Sequence, residues 1–101
     1  MKILTAIIRT ISLERVVKSL QDIGINGMTI SEIKGTGEQV QLYDPYTIHD
    51  RIEVFVHDEK ADEVANTIVE NAHTGLAGDG LIAVYPADYV IKIKNEEKMK
   101  G

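Results

Sequence analysis

Apolar residues recur along this chain with two different periods, and the switches between them divide it into elements. Lys2 to Arg9 is short and rich in isoleucine, the pattern of a buried strand. Leu13, Val16, Val17, Leu20 and Ile23 then recur at helical spacing. Ser12 is placed to cap that helix, Glu14 sits in its first turn where the dipole favours an anion, and Gly24 closes it. Ile25 to Lys34 returns to alternation and predicts a second strand. Gly35 to Tyr46 breaks the pattern with Gly35, Gly37, Asp44 and Pro45. From Thr47 to Val56 the alternation is clear. Ile48, Asp50, Ile52, Val54 and Val56 share one face, which should pack on helices, and His49, Arg51, Glu53 and Phe55 share the other. Asp58 is a good N-cap for a second helix with the inner stripe Val64, Ala65, Ile68, Val69 and Ala72. Leu81 to Tyr85 reads as a fourth strand. Val90 to Lys94 reads as a short last one with Lys92 and Lys94 on one face, and Asn95 to Gly101 as a frayed polar end.

The resulting order is β-α-β, loop, β-α-β and a short final strand. It predicts an α+β fold, the ferredoxin-like double βαβ with a four-stranded antiparallel sheet. Two helices cover only one face of such a sheet. Ile8, Ile33 and Phe55 are expected on the other, so a homo-oligomer joining sheet faces is the simple solution, and a trimer is one way to close it.

Composition narrows the classes. The 101 residues suffice for one domain, spanning 1–101. A formal net charge of −5 argues against a general nucleic-acid binder. No cysteine is present, so thiol nucleophiles, thiolate metal sites and disulfides are excluded. The apolar start of the chain is broken by Arg9 before a signal peptide is complete, and no apolar run reaches the ~18 residues of a membrane span. A cytoplasmic protein without membrane insertion is the expectation.

The candidate chemistry lies between the second helix and the fourth strand, in Thr74-Gly75-Leu76-Ala77-Gly78-Asp79-Gly80. Three glycines leave little bulk and permit positive φ, so several backbone amides can face one anion. The plainer alternative is a helix C-cap at Gly75 and an Asp-Gly turn into a strand. His49, His57 and His73 lack metal-ligand spacing. Glu53 and Asp50 point to opposite faces of one strand and cannot act as a carboxylate pair. No nucleophile–base set is evident, so no catalytic residue and no metal ligand is assigned.

Taken together, Ala6-Ile7-Ile8-Arg9, Gly27-Met28-Thr29, Lys34-Gly35-Thr36-Gly37-Glu38-Gln39, Arg51-Ile52-Glu53, Gly78-Asp79-Gly80 and Ile91-Lys92-Ile93-Lys94 resemble the nitrogen-regulatory PII signal-transduction proteins. The resemblance covers nearly the whole chain. It implies a trimer binding adenine nucleotides in clefts between neighbours and regulating a partner transporter or metabolic enzyme; with the departures given below, ADP and ATP are the expected ligands and AMP a third. It implies that Gly78, Asp79 and Gly80 hold phosphates and that Lys92 and Lys94 reach them from the neighbouring subunit. Gly27, Met28 and Thr29 would line the nucleoside, with Glu53 and Phe55 nearby, and Gly35, Gly37 and Gln39 would form the base of an effector loop bordering it. Whether Mg²⁺ accompanies the nucleotide is left open.

The chain also departs from that family. Its effector loop, Thr36 to Tyr46, is short. Tyr43 and Tyr46 lack the context of the family's modified tyrosine. His49 stands where the family has a lysine for 2-oxoglutarate, so no 2-oxoglutarate sensing is expected. Leu76 and Leu81 replace two lysines beside the glycine loop. The rival classes are an adenine-nucleotide hydrolase using the same cleft and a structural trimer without a ligand.

Overall fold

The computed structural model describes residues 1–36 and 47–100. The short effector loop apart from Thr36, and with it Gly37, Gln39, Tyr43 and Tyr46, therefore lies outside the described residues. Strand β1 spans Lys2–Arg9, α1 Leu13–Asp22, β2 Thr29–Gly35, β3 Thr47–Val56, α2 Ala61–Ala72, β4 Gly80–Pro86, β5 Val90–Lys92 and β6 Glu97–Met99. The main sheet has the order β2-β3-β1-β4 with every neighbour antiparallel, the ferredoxin-like α+β plan.

Alternation decides which side chains meet the helices. Leu4, Ala6 and Ile8 of β1, with Ile52, Val54 and Val56 of β3, pack under Val16 and Leu20 of α1 and Val64 and Ile68 of α2. Asp50 lies on the same inner face, while Ile48, at the open end of β3, is exposed. The α1 stripe ends as the spacing predicts. Gly24 has φ +91°, Ile25 N–H donates to Leu20 at 2.9 Å and Gly24 N–H to Gln21 at 2.9 Å, a left-handed cap that satisfies the last carbonyls.

Five expectations change. Ile8 is buried on the helix side, because its register partners are Asp50 and Gly80; the helix-free face of β1 carries Ile3, Thr5, Ile7 and Arg9. Ser12 occupies the start of α1, but its side chain makes no capping bond and is buried. Asp58 does not cap α2. It begins a 3₁₀ turn, Asp58–Lys60, and its carboxylate meets the Met1 ammonium at 3.0 Å, which pulls its pKa below the usual carboxylate range. Strand β2 begins at Thr29, four residues later than the alternation suggests. Finally, the last strand stops at Lys92 and the tail folds back. Asn95 accepts the Glu97 amide at 2.9 Å, an Asx turn, and β6 pairs with β5. Lys94 thus lies in the turn rather than on a face shared with Lys92.

The helix-free face is apolar along much of its length. Phe55, Ile3 and Tyr85 lie abreast across three strands, and Ile7 and Leu81 are paired further along. Phe55, Tyr85 and Leu81 are exposed. Ile33 of β2 is on this face as well, opposite His49.

Candidate functional site

The glycine loop runs from the end of α2 to the start of β4, and its own side chains shape it. The Asp79 carboxylate accepts the Thr74 amide at 2.7 Å and the Gly75 amide at 2.9 Å. It also accepts the Thr74 hydroxyl, and Arg9 Nε donates to it at 3.2 Å. His73 Nδ1 lies 3.7 Å away. These donors favour the ionised form, the Thr74 hydroxyl most of all, and hold the Asp79 pKa well below the usual carboxylate range. The Thr74 hydroxyl in turn accepts the Leu76 amide at 3.2 Å. The first three amides of the loop are therefore bound within it.

Two glycines set the path. Gly78 has φ +89°, in the left-handed region. Gly80 has φ +103°, and a Cβ there would sit 1.7 Å from the Ile7 carbonyl oxygen. No other residue fits where β4 is laid against β1. The far side of the loop is anchored to the sheet. Arg9 Nη2 donates to the Ala77 carbonyl, and His49 Nε2 lies 2.9 Å from the Gly78 carbonyl and donates to it. Arg9 and His49 are register partners on β1 and β3, both on the helix-free face. Beside the loop, Ile68, Val69 and Ala72 of α2 and Leu81 and Ile82 of β4 wall an apolar cavity of about 310 Å³ that reaches Asp79 and Gly80.

The other predicted site residues lie elsewhere on the sheet. Thr29 opens β2 opposite Glu53, with Gly27 and Met28 immediately before it and Phe55 two residues along β3. Glu53 accepts the Thr5 hydroxyl at 3.3 Å, and Thr5 lies 3.4 Å from the Tyr85 hydroxyl, a polar line across three strands. Gly35 ends β2, and its carbonyl accepts the Thr47 hydroxyl at 3.3 Å. Thr29 and Gly80 are three strand spacings and three residues apart, on the order of 17 Å. One chain thus places the glycine loop at the β4 edge and the Thr29–Glu53 group at the β2 edge. Lys92 and Lys94 are exposed on the β5–β6 hairpin, and among the described residues no hydrogen bond or ion pair ties either to the loop.

Arg9 and His49 were not singled out as site residues by the sequence. Their partners lie far along the chain, and two of them are backbone carbonyls, which any residue supplies. The available signal was a cation ending an apolar strand, and a histidine where the resembling family has a lysine.

The chain matches the family model described as "Nitrogen regulatory protein P-II" over residues 1–97. Among similar proteins, "Nitrogen regulatory protein P-II 2" of Methanothermobacter thermautotrophicus is 38% identical, covering 99% of this chain and 95% of its own. "Nitrogen regulatory protein P-II" of Pasteurella multocida is 38% identical, covering 97% and 96%. The protein of the same name in Haemophilus influenzae is 39% identical over the same shares.

Proposed function

The chain belongs to the nitrogen regulatory protein P-II family, and from that premise we propose that it is a non-enzymatic signalling protein that binds adenine nucleotides between neighbouring copies. ADP and ATP are the ligands, with AMP a weaker third, and the bound state is passed to a partner transporter or metabolic enzyme. The observation that carries this reading is the separation of two half-sites. The anion-binding type of loop lies at the β4 edge and the Thr29–Glu53 group at the β2 edge. Bringing the β4 edge of one copy to the β2 edge of the next joins them, and three such contacts close a ring. The exposed apolar face with Phe55, Tyr85 and Leu81 gives the ring something to bury.

Leu76 and Leu81, both exposed, put no charge beside the outer phosphates. A charge-assisted hydrogen bond contributes about 1.5–3 kcal/mol, so its loss removes an advantage of roughly ten- to a hundredfold for a third phosphate. ADP and ATP should therefore bind within about tenfold of each other. A ligand at a hundred times its Kd stabilises the folded state by about 2.7 kcal/mol, which a thermal-shift series with ADP, ATP, AMP and 2-oxoglutarate detects. No shift with any adenine nucleotide overturns the reading. Sedimentation at micromolar concentration should give a trimer, and a monomer there removes the shared site.

A further inference from the structure

We infer that Arg9 and His49 are positioning residues for the anion site: by holding two successive carbonyls of the glycine loop from one side, they aim the amides of Gly78 and Asp79 out of the other. This rests on the nucleotide reading above and assigns the regulation of that site's geometry.

The argument is one of peptide planarity. Among the described residues no peptide bond is cis. In a trans peptide the carbonyl and the following N–H point to opposite sides of the chain. Arg9 Nη2 holds the Ala77 carbonyl, so the Gly78 N–H points away from Arg9. His49 Nε2 holds the Gly78 carbonyl at 2.9 Å, so the Asp79 N–H points away from His49. Two adjacent amides then project on the same side, as an anion nest requires. Among the described residues no hydrogen-bond acceptor is recorded for either amide. By contrast, the amides of Thr74, Gly75 and Leu76 are already bound inside the loop. The loop's donors are thereby sorted: three hold it together and two face outwards. Neither Arg9 nor His49 touches the ligand in this arrangement.

The clamp comes from one place. Arg9 and His49 are opposite each other at the end of the two central strands, so the two carbonyls are tied to the sheet rather than to another loop. The positive φ of Gly78 lets the chain turn between them. A histidine at position 49 reaches the carbonyl with a single ring N–H, leaving no charge requirement on the bond.

The test uses the full chain with His49→Phe, which removes the donor and keeps the ring, and His49→Gln, whose amide N–H can replace it. ADP affinity is measured by calorimetry, and backbone ¹⁵N order parameters of Gly78 and Asp79 are measured without nucleotide. We expect His49→Phe to bind ADP about five- to tenfold more weakly, the worth of one net hydrogen bond, and its order parameters to fall below about 0.6. His49→Gln should stay within about twofold of wild type in affinity and keep the ordered values. If His49→Phe binds ADP like wild type and the two amides stay ordered, the clamp is overturned, and so it is if His49→Gln behaves like His49→Phe. If wild type binds no adenine nucleotide while the order at Gly78 and Asp79 still depends on His49, the clamp stands and the nucleotide reading falls.

Discussion

Two carboxylates flank the end of β1, and the chain treats them in opposite ways. Asp79, in the glycine loop, is surrounded by donors: two amides, a hydroxyl and a guanidinium. Asp50, in β3, is only 5% exposed, and its Oδ2 has no hydrogen-bond partner among the described residues. Ile8 is the register neighbour of Asp50 on one side and of Gly80, next to Asp79, on the other. One strand position thus separates a carboxylate with every need met from one left short. The contrast shows that burial and satisfaction are separate properties. The loop uses its acid to fix a backbone path, whereas the core carries its acid at a cost.

Gly80→Ala tests the loop side with the largest effect. Its Cβ has no room against the Ile7 carbonyl and its φ is unfavourable, so strain and lost pairing should cost about 3 kcal/mol or more. Urea unfolding measures it, and a variant as stable as wild type would show that the loop is not fixed by this contact. Asp50→Val tests the core side and should act in the opposite direction. Removing a buried, unpartnered oxygen should stabilise the chain by about 1–3 kcal/mol. A loss of stability instead would mean that the Asp50 carboxylate is supported in the fold.

Asp79→Asn changes the dependence on pH. The folded pKa of Asp79 lies below its unfolded value, so its contribution is complete above about pH 4 and is lost as the pH falls towards the depressed value. Wild type should lose loop protection on acidification, seen as faster amide exchange at Thr74 and Gly75 after correction for intrinsic rates. The asparagine variant should exchange faster already at neutral pH and change little on acidification. Equal acid responses in the two proteins would remove Asp79 from this role. Thr74→Val should have the smallest effect. It deletes one hydroxyl that donates to Asp79 and accepts from Leu76, costing about 0.5–1.5 kcal/mol by urea titration.

What the sequence made legible follows from the range of the interactions. In β3, apolar and polar residues alternate, and Ile52, Val54 and Val56 are buried as the pattern requires. In β1 both faces are apolar, so alternation carries no phase there. Its phase comes from distant pairing, for Ile8 with Asp50 and Gly80, 42 and 72 positions on, and so the sequence alone does not place Ile8 on the helix side. Asp58 has the chemistry of a cap, but the Met1 ammonium competes for its carboxylate. The tail from Asn95 is polar in composition, and only the Asx turn reveals that it pairs. The same holds for the site. The glycines are visible in the sequence, whereas Arg9 shows there only as the end of an apolar strand and His49 only as a replacement for the resembling family's lysine, with nothing to place either beside the loop.

The strand order also governs when the molecule can form. β1 is made first yet lies inside the sheet, with β3 on one side and β4 on the other. Leu4 must wait for Val54 and then for Val84 before it is enclosed. Nearly the whole chain has to leave the ribosome before the central strand has both neighbours, so pairing is dominated by non-local closure and is slow relative to helix formation. The helix-free face is therefore whole only after β4, Gly80–Pro86, has been made and paired. In the proposed ring, joining copies would then be a later, concentration-dependent step.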